Sequence, residues 1–192
     1  MVMINPCDCV SKDYPIIESI EAPDFKNITE FEAWLRMKYI PRTNAIKHWI
    51  NPRTKLTENI CQTECWGIFT PDEKYVKCCL TYPKTNLTSK CEDDLRGNIL
   101  SHNHPSGETL SLADLCNWAN LHMQEIRAVN EIFTYRITPI SGKWPEPKKL
   151  IDKIKTICPK VIPDDMQRSS GDLRHKCFMR LSEVGCFDYE RL

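Results

Sequence analysis

Ser101-His102-Asn103-His104-Pro105-Ser106-Gly107 runs on, four residues later, to Ser111-Leu112-Ala113-Asp114. Asn98-Ile99-Leu100 leads into the histidines and reads as a short apolar strand. In an extended segment, two histidines two residues apart project to the same side. Pro105-Ser106-Gly107 imposes a turn directly after them. Ser111 opens a helix, and side chains of a first turn lean back toward the helix N-terminus. The Asp114 carboxylate therefore points toward the place from which the histidines come, where the helix dipole also favours a negative charge. His, His and Asp are donors of the kind zinc takes in catalytic sites, with a fourth position left for water. A plainer reading also accounts for the pair. Ser111-Leu-Ala-Asp114 has the spacing of a capping box, with Asp where Glu or Gln is usual. Capping and metal binding are compatible here.

Working outward, Leu112, Leu115, Cys116, Ala119, Met123 and Ile126 form one apolar stripe, which predicts a helix from Ser111. Ile132–Thr138 alternates as a strand. Upstream, Glu64–Thr70 and Tyr75–Thr81 flank Pro71-Asp-Glu-Lys74 and predict a β-hairpin. A helix is expected over Asn27–Ile40, with Thr29 as N-cap, Phe31, Trp34, Leu35 and Lys38 on one face, and Pro41 ending it. A second short helix is expected over Asn44–Ile50, stopped by Pro52. Residues 1–25 read as irregular. After the linker Gly142-Lys-Trp-Pro-Glu-Pro147, helices are expected over Lys148–Ile157 and Leu173–Val184.

The 192 residues suit one domain with extensions. Lys plus Arg and Asp plus Glu both number 26, giving a formal net charge of zero. That balance speaks against a general affinity for nucleic acid or anionic membrane. No apolar run reaches the length of a membrane span. The first residues lack the basic and apolar regions of a secretory signal, so the expected compartment is the cytoplasm. On that basis the sequons Asn27-Ile-Thr29 and Asn86-Leu-Thr88 read as chance. Eleven cysteines are many for such a chain. Their odd number and the adjacent Cys78-Cys79 do not suggest a disulfide framework, and most read as reduced small hydrophobes. Cys7 with Cys9, or Cys61 with Cys65, is an alternative pair for a second, structural zinc. Glu64, Glu58, Glu73 and Glu92 all compete as a general base on composition alone.

Together, Glu64, His102-Asn103-His104-Pro105 and Ser111-Leu-Ala-Asp114 resemble the JAB/MPN (JAMM) family of zinc metalloproteases. The family's glutamate commonly sits in a Glu-x-x-Gly context on a strand, and Glu64-Cys-Trp-Gly67 is similar to it, which favours Glu64 over the other glutamates. The His-Asn-His-Pro-Ser-Gly wording looks most like the prokaryotic and phage branches, including RadC-type and toxin-associated proteins. One departure is the loop: Asp114 lies twelve residues after His102, against thirteen in the familiar branches.

The resemblance covers about residues 60–140. It implies an α/β fold with a cytidine-deaminase-like α/β/α core and a mixed curved sheet. The corresponding organisation is an irregular and helical extension over 1–58, a metal-binding core over 59–142, and a helical extension over 143–192. It further implies Zn2+ held by His102, His104 and Asp114, with Glu64 as base and Ser111 as a donor to the oxyanion. The implied reaction is hydrolysis of a peptide or isopeptide bond, the implied partner a protein substrate such as a ubiquitin-like conjugate. Two other readings stay open: a non-catalytic JAB-like binding or assembly module, and a RadC-like protein with a DNA-related role. The oligomeric state is not legible.

Overall fold

The computed structural model describes residues 1–8, 17–43, 47–50, 55–60, 63–82, 89–104, 108–159 and 171–192. The predicted hairpin forms from β5 (Glu64–Phe69) and β6 (Tyr75–Thr81), antiparallel and with a register shift at Ile68/Phe69. The histidine segment is β7 (Ile99–Asn103), antiparallel to β5 and parallel to β8 (Glu125–Val129). Beyond β8 come β9 (Thr134–Thr138) and β10 (Asp188–Arg191), both antiparallel additions. On the other side of the hairpin, β1 (Val2–Pro6) runs parallel to β6, and β2 (Ile20–Ala22) closes that edge. The result is a mixed eight-stranded sheet in the order β10-β9-β8-β7-β5-β6-β1-β2. Strands from residues 1–58 and 143–192 thus extend the sheet whose centre is β7 and β5.

Helices pack on both faces, so the chain is α/β. One face carries α1 (Ile28–Trp34), whose Ile28 and Phe31 pack with Cys65, Phe69, Leu80 and Ile99. The other carries α3 (Ser89–Leu95), α4 (Leu112–Leu121), α5 (Pro147–Ile157) and α6 (Gly171–Glu183). Their Leu95, Leu115, Trp118, Ile154 and Phe178 pack with Trp66, Ile68, Leu100, Ile126 and Ile137. Alternate residues of β5 and β7 thus serve opposite layers. Gly67 explains how closely α1 approaches β5. A Cβ there would lie 2.6 Å from the Phe31 ring and 2.7 Å from the Phe69 ring, so only glycine fits.

Five expectations need correction. Residues 1–25, expected irregular, contribute β1 and β2, because Val2–Ile4 pair with Ile20–Ala22 and Asn5 and Pro6 with Cys79 and Leu80. The N-cap of α1 is Asn27, whose side chain accepts from the Glu30 N–H, not Thr29. Pro41 does not end the helix. The chain widens into a π-turn over Leu35–Tyr39, where Ile40 N–H reaches Leu35 O, and continues through Pro41 in α2 (Ile40–Thr43). Proline lacks an N–H and crowds the carbonyl four residues back, and the wider turn relieves that clash. The extra residue brings Tyr39 inward and leaves Lys38 exposed. Lys47–Ile50, expected helical, is β3, paired with β4 (Thr57–Ile60) in a separate two-stranded ribbon. Finally, α4 stops at Leu121, where His122 turns left-handed at φ 50°, so Ile126 belongs to β8.

Beneath β7, a buried ionic group ties α1 to the sheet. Glu32 accepts from Ser101 Oγ at 2.9 Å and Thr134 Oγ1 at 3.2 Å, and faces Arg127 Nη1 at 3.5 Å. Arg127 also pairs with Glu125 and, at 3.0 Å, with Glu73. Buried charges are tolerated when paired in this way. Among the described residues, no helix is long and apolar enough to cross a membrane.

Candidate metal centre

Strand alternation places the two histidines. Ile99 and Ser101 face α1, while Leu100 and His102 face the α4 layer. Past the end of β7, His104 still donates its N–H to Val129 O at 3.1 Å, so it remains held against β8. Asn103, on the α1 side, accepts the Cys65 N–H at 2.7 Å and pins the start of β5 beside the histidines. The two imidazole centroids are 4.9 Å apart, and both side chains are buried.

Asp114 arrives from α4. Its Oδ1 is 3.6 Å from His102 Nε2 and its Oδ2 is 3.1 Å from His104 Nε2. The capping box is also formed. Asp114 N–H donates to Ser111 Oγ at 3.1 Å, while Ser111 N–H and the Ser111 hydroxyl each donate to Asp114 Oδ2 at 2.7 Å. The capping reading of Ser111-Leu-Ala-Asp114 is thus realised, in a geometry that also brings the Asp114 carboxylate to both histidines. The Ser111 hydroxyl is directed at Asp114 Oδ2 here. Burial opposes ionisation of Asp114, but the His102 and His104 rings outweigh it and hold the carboxyl well below the usual range.

Glu64 joins from β5. Trp66 is opposite His102 in the β5–β7 ladder, and Glu64, two residues earlier on the same face of β5, lies within electrostatic reach of His104 and Asp114. Glu64 Oε2 accepts the Trp66 indole N–H at 3.2 Å. Burial pushes the Glu64 carboxyl up to about 7; the His104 ring and the Trp66 bond pull it down, and the Asp114 charge pushes it further up. A carboxyl near neutrality can both take and return a proton.

The donor set fits a cation. Among the described residues, His102, His104 and Asp114 are the one group of this kind, with ligand atoms all within 4.8 Å of one another. Both ring nitrogens of His102 are buried without a hydrogen-bond partner. An orphaned buried polar atom costs about 1–3 kcal/mol, which a coordinated ion would offset at one of the two nitrogens.

The rival glutamates are elsewhere. Glu73 is held by Arg127, Glu92 lies in the first turn of α3, and the Glu58 side chain lies outside the described residues. Cys9, Cys61 and the turn expected over residues 105–107 also lie outside them.

Several participants have no signature in the sequence. Trp66 is one; its ring meets His102 edge-on, 6.4 Å between centroids. The others bind the segment before Ser111 to the C-terminal elements. Glu108 pairs with the buried Arg174 of α6. Thr109 Oγ1 is 2.8 Å from Tyr189 OH, which is 2.9 Å from His175 Nδ1.

Comparison with protein-family models, with curated proteins and with solved structures finds no match for this chain.

Proposed function

We propose that this protein is a zinc-dependent amide hydrolase of the JAMM type, acting on a peptide or isopeptide bond. The observation that carries the reading is the convergence of His102, His104 and Asp114, from β7 and α4, on the sheet face that also carries Glu64. Two imidazoles and one carboxylate are a catalytic rather than a structural zinc set, since they leave a position open. Bound there, zinc supplies Lewis acidity, bringing the pKa of a water near 7 and polarising a carbonyl.

The chain's own residues do the rest. Glu64 takes the proton of the attacking water on its carboxylate and delivers it to the leaving amine. Trp66 holds Glu64 Oε2 and fixes which oxygen is free to accept. Ser111 orients Asp114, and its hydroxyl can turn from Oδ2 to the oxyanion as charge develops; one such donor is worth about 10²–10³ in rate. The resemblance of the motif to JAMM proteins supports a protein tail, such as a ubiquitin-like conjugate, as substrate.

The test is metal content by mass spectrometry beside hydrolysis of an isopeptide-linked substrate. About one zinc per chain is expected in the wild type and none in His104→Ala. Glu64→Gln is expected to keep the zinc and lose the hydrolysis. Zinc without hydrolysis in the wild type would turn the reading to a metal-holding binding module, which the commitment of the Ser111 hydroxyl to Asp114 would favour.

A further inference from the structure

The thiols outside the metal centre are not scattered through the core. Cys7 Sγ lies 3.4 Å from Cys91 Sγ, Cys65 Sγ lies 3.4 Å from Cys78 Sγ, and the thiols of Cys158 and Cys177 share a hydrogen bond. Six of the cysteines thus meet as couples. The sequence separation is 84 for the first, so its two thiols are neighbours only because the fold makes them so.

The couples differ in what they can become. Cys65 and Cys78 sit on adjacent strands with Cys65 opposite Leu80 and Cys78 opposite Gly67, which makes them diagonal neighbours. Diagonal positions are roughly 7–8 Å apart between Cα atoms, more than an unstrained disulfide usually spans. Cys7 is not fixed in that way. It follows the last residue of β1, where its N–H donates to Leu80 O, and its side chain meets Cys91 in α3. Helix α3 is held over that end of the sheet by the ion pair of Lys77, in β6, with Asp94.

We propose that Cys7 and Cys91 form a disulfide that ties β1 to α3 when the protein meets a disulfide oxidant. One cysteine, as thiolate, attacks a sulfur of oxidised glutathione and releases one glutathione as the leaving thiol. The second attacks the mixed disulfide and releases the other. Two cysteine thiols and one oxidised glutathione become one intramolecular disulfide and two glutathione thiols, with the two cysteine protons passing to the departing thiolates. The proposal is independent of the hydrolase reading and departs from the expectation of reduced cysteines at this couple.

The experiment refolds the reduced full-length chain in oxidised and reduced glutathione, so that burial does not bar the reaction. Iodoacetamide then blocks the remaining thiols, and linked peptides are mapped by mass spectrometry. Trypsin releases Cys91 as the only cysteine of residues 91–96, and cleavage before Asp8 separates Cys7 from Cys9. The expected result is a peptide joining Cys7 to Cys91, exceeding alkylated Cys91 by about tenfold or more. In Cys7→Ser, Cys91 should be recovered alkylated. Wild-type chain with both thiols alkylated, or with either one linked to another cysteine, would overturn the assignment.

Discussion

The Trp66 indole N–H donates to Glu64 Oε2 at 3.2 Å, two residues along the strand that faces His102. The bond favours the ionised carboxylate and so restrains the upward push of burial. Trp66→Phe keeps the ring and removes the donor. The Glu64 pKa should rise, moving the acid limb of kcat/KM upward by about one pH unit, because a hydrogen bond to a charged group is worth roughly 1.5–3 kcal/mol. Zinc content should not change. An unshifted limb in a variant that still binds metal would show that the indole does not tune the base.

Glu64 also makes the stability of the metal-free protein depend on pH. Its folded pKa is about 7 against an ordinary 4.5, so the folded state binds the proton more tightly than the unfolded state. Stability from this group is full below pH 4.5 and falls as pH rises through 7, by on the order of 3 kcal/mol at most. Glu64→Gln removes the titration. With metal chelated, the variant should melt above the wild type at pH 8, and its advantage should vanish near pH 4.5. Parallel melting curves across that window would mean that folding does not desolvate the carboxyl.

The histidine pair, the helix after it and the hairpin before it were legible because each rests on local chemistry. Strand alternation, a capping residue and turn residues all act within a few positions. What escaped depends on distant partners. Glu125-Ile-Arg-Ala-Val129 is buried along its whole length, and its two charges are tolerated there because they pair with each other and because Glu32 and Glu73 also reach Arg127. The short β1 and β10 become strands by pairing with β6 and β9. Nothing local distinguishes them from loop. Gly67, too, answers to a distant partner, since the ring that approaches it is that of Phe31 in α1.

Ser111 serves the helix and the metal ligand through the same hydroxyl. Ser111→Ala loses the bond to the Asp114 N–H, worth about 1 kcal/mol as an N-cap. It also removes one of the donors that orient Asp114 Oδ2. The expected result is a metal-free protein destabilised by about 1 kcal/mol, and a zinc affinity lower by about 10–100-fold, the usual effect of losing a group that orients a ligand. Thermal unfolding with and without zinc separates the two. A variant with unchanged zinc affinity would confine Ser111 to capping.

The ion pair of Glu108 with Arg174 makes the C-terminal helix part of the site's scaffold, because Glu108 lies three residues before Ser111. The Arg174 side chain is 4% exposed and that of Glu108 is 28% exposed. In Arg174→Met the methionine fills much of the volume, and the remaining carboxylate can reach water. The loss of stability should therefore be about 2 kcal/mol, below the 3–5 kcal/mol expected when the partner left behind is fully buried. The segment carrying Ser111 and Asp114 should loosen, and zinc affinity should fall by about tenfold. Lys176→Met is the control: it breaks the exposed pair with Asp172 on the same helix and should move neither quantity by more than a few tenths of a kcal/mol. Equal effects from the two substitutions, read by calorimetric unfolding and zinc titration, would place α6 outside the support of the metal centre.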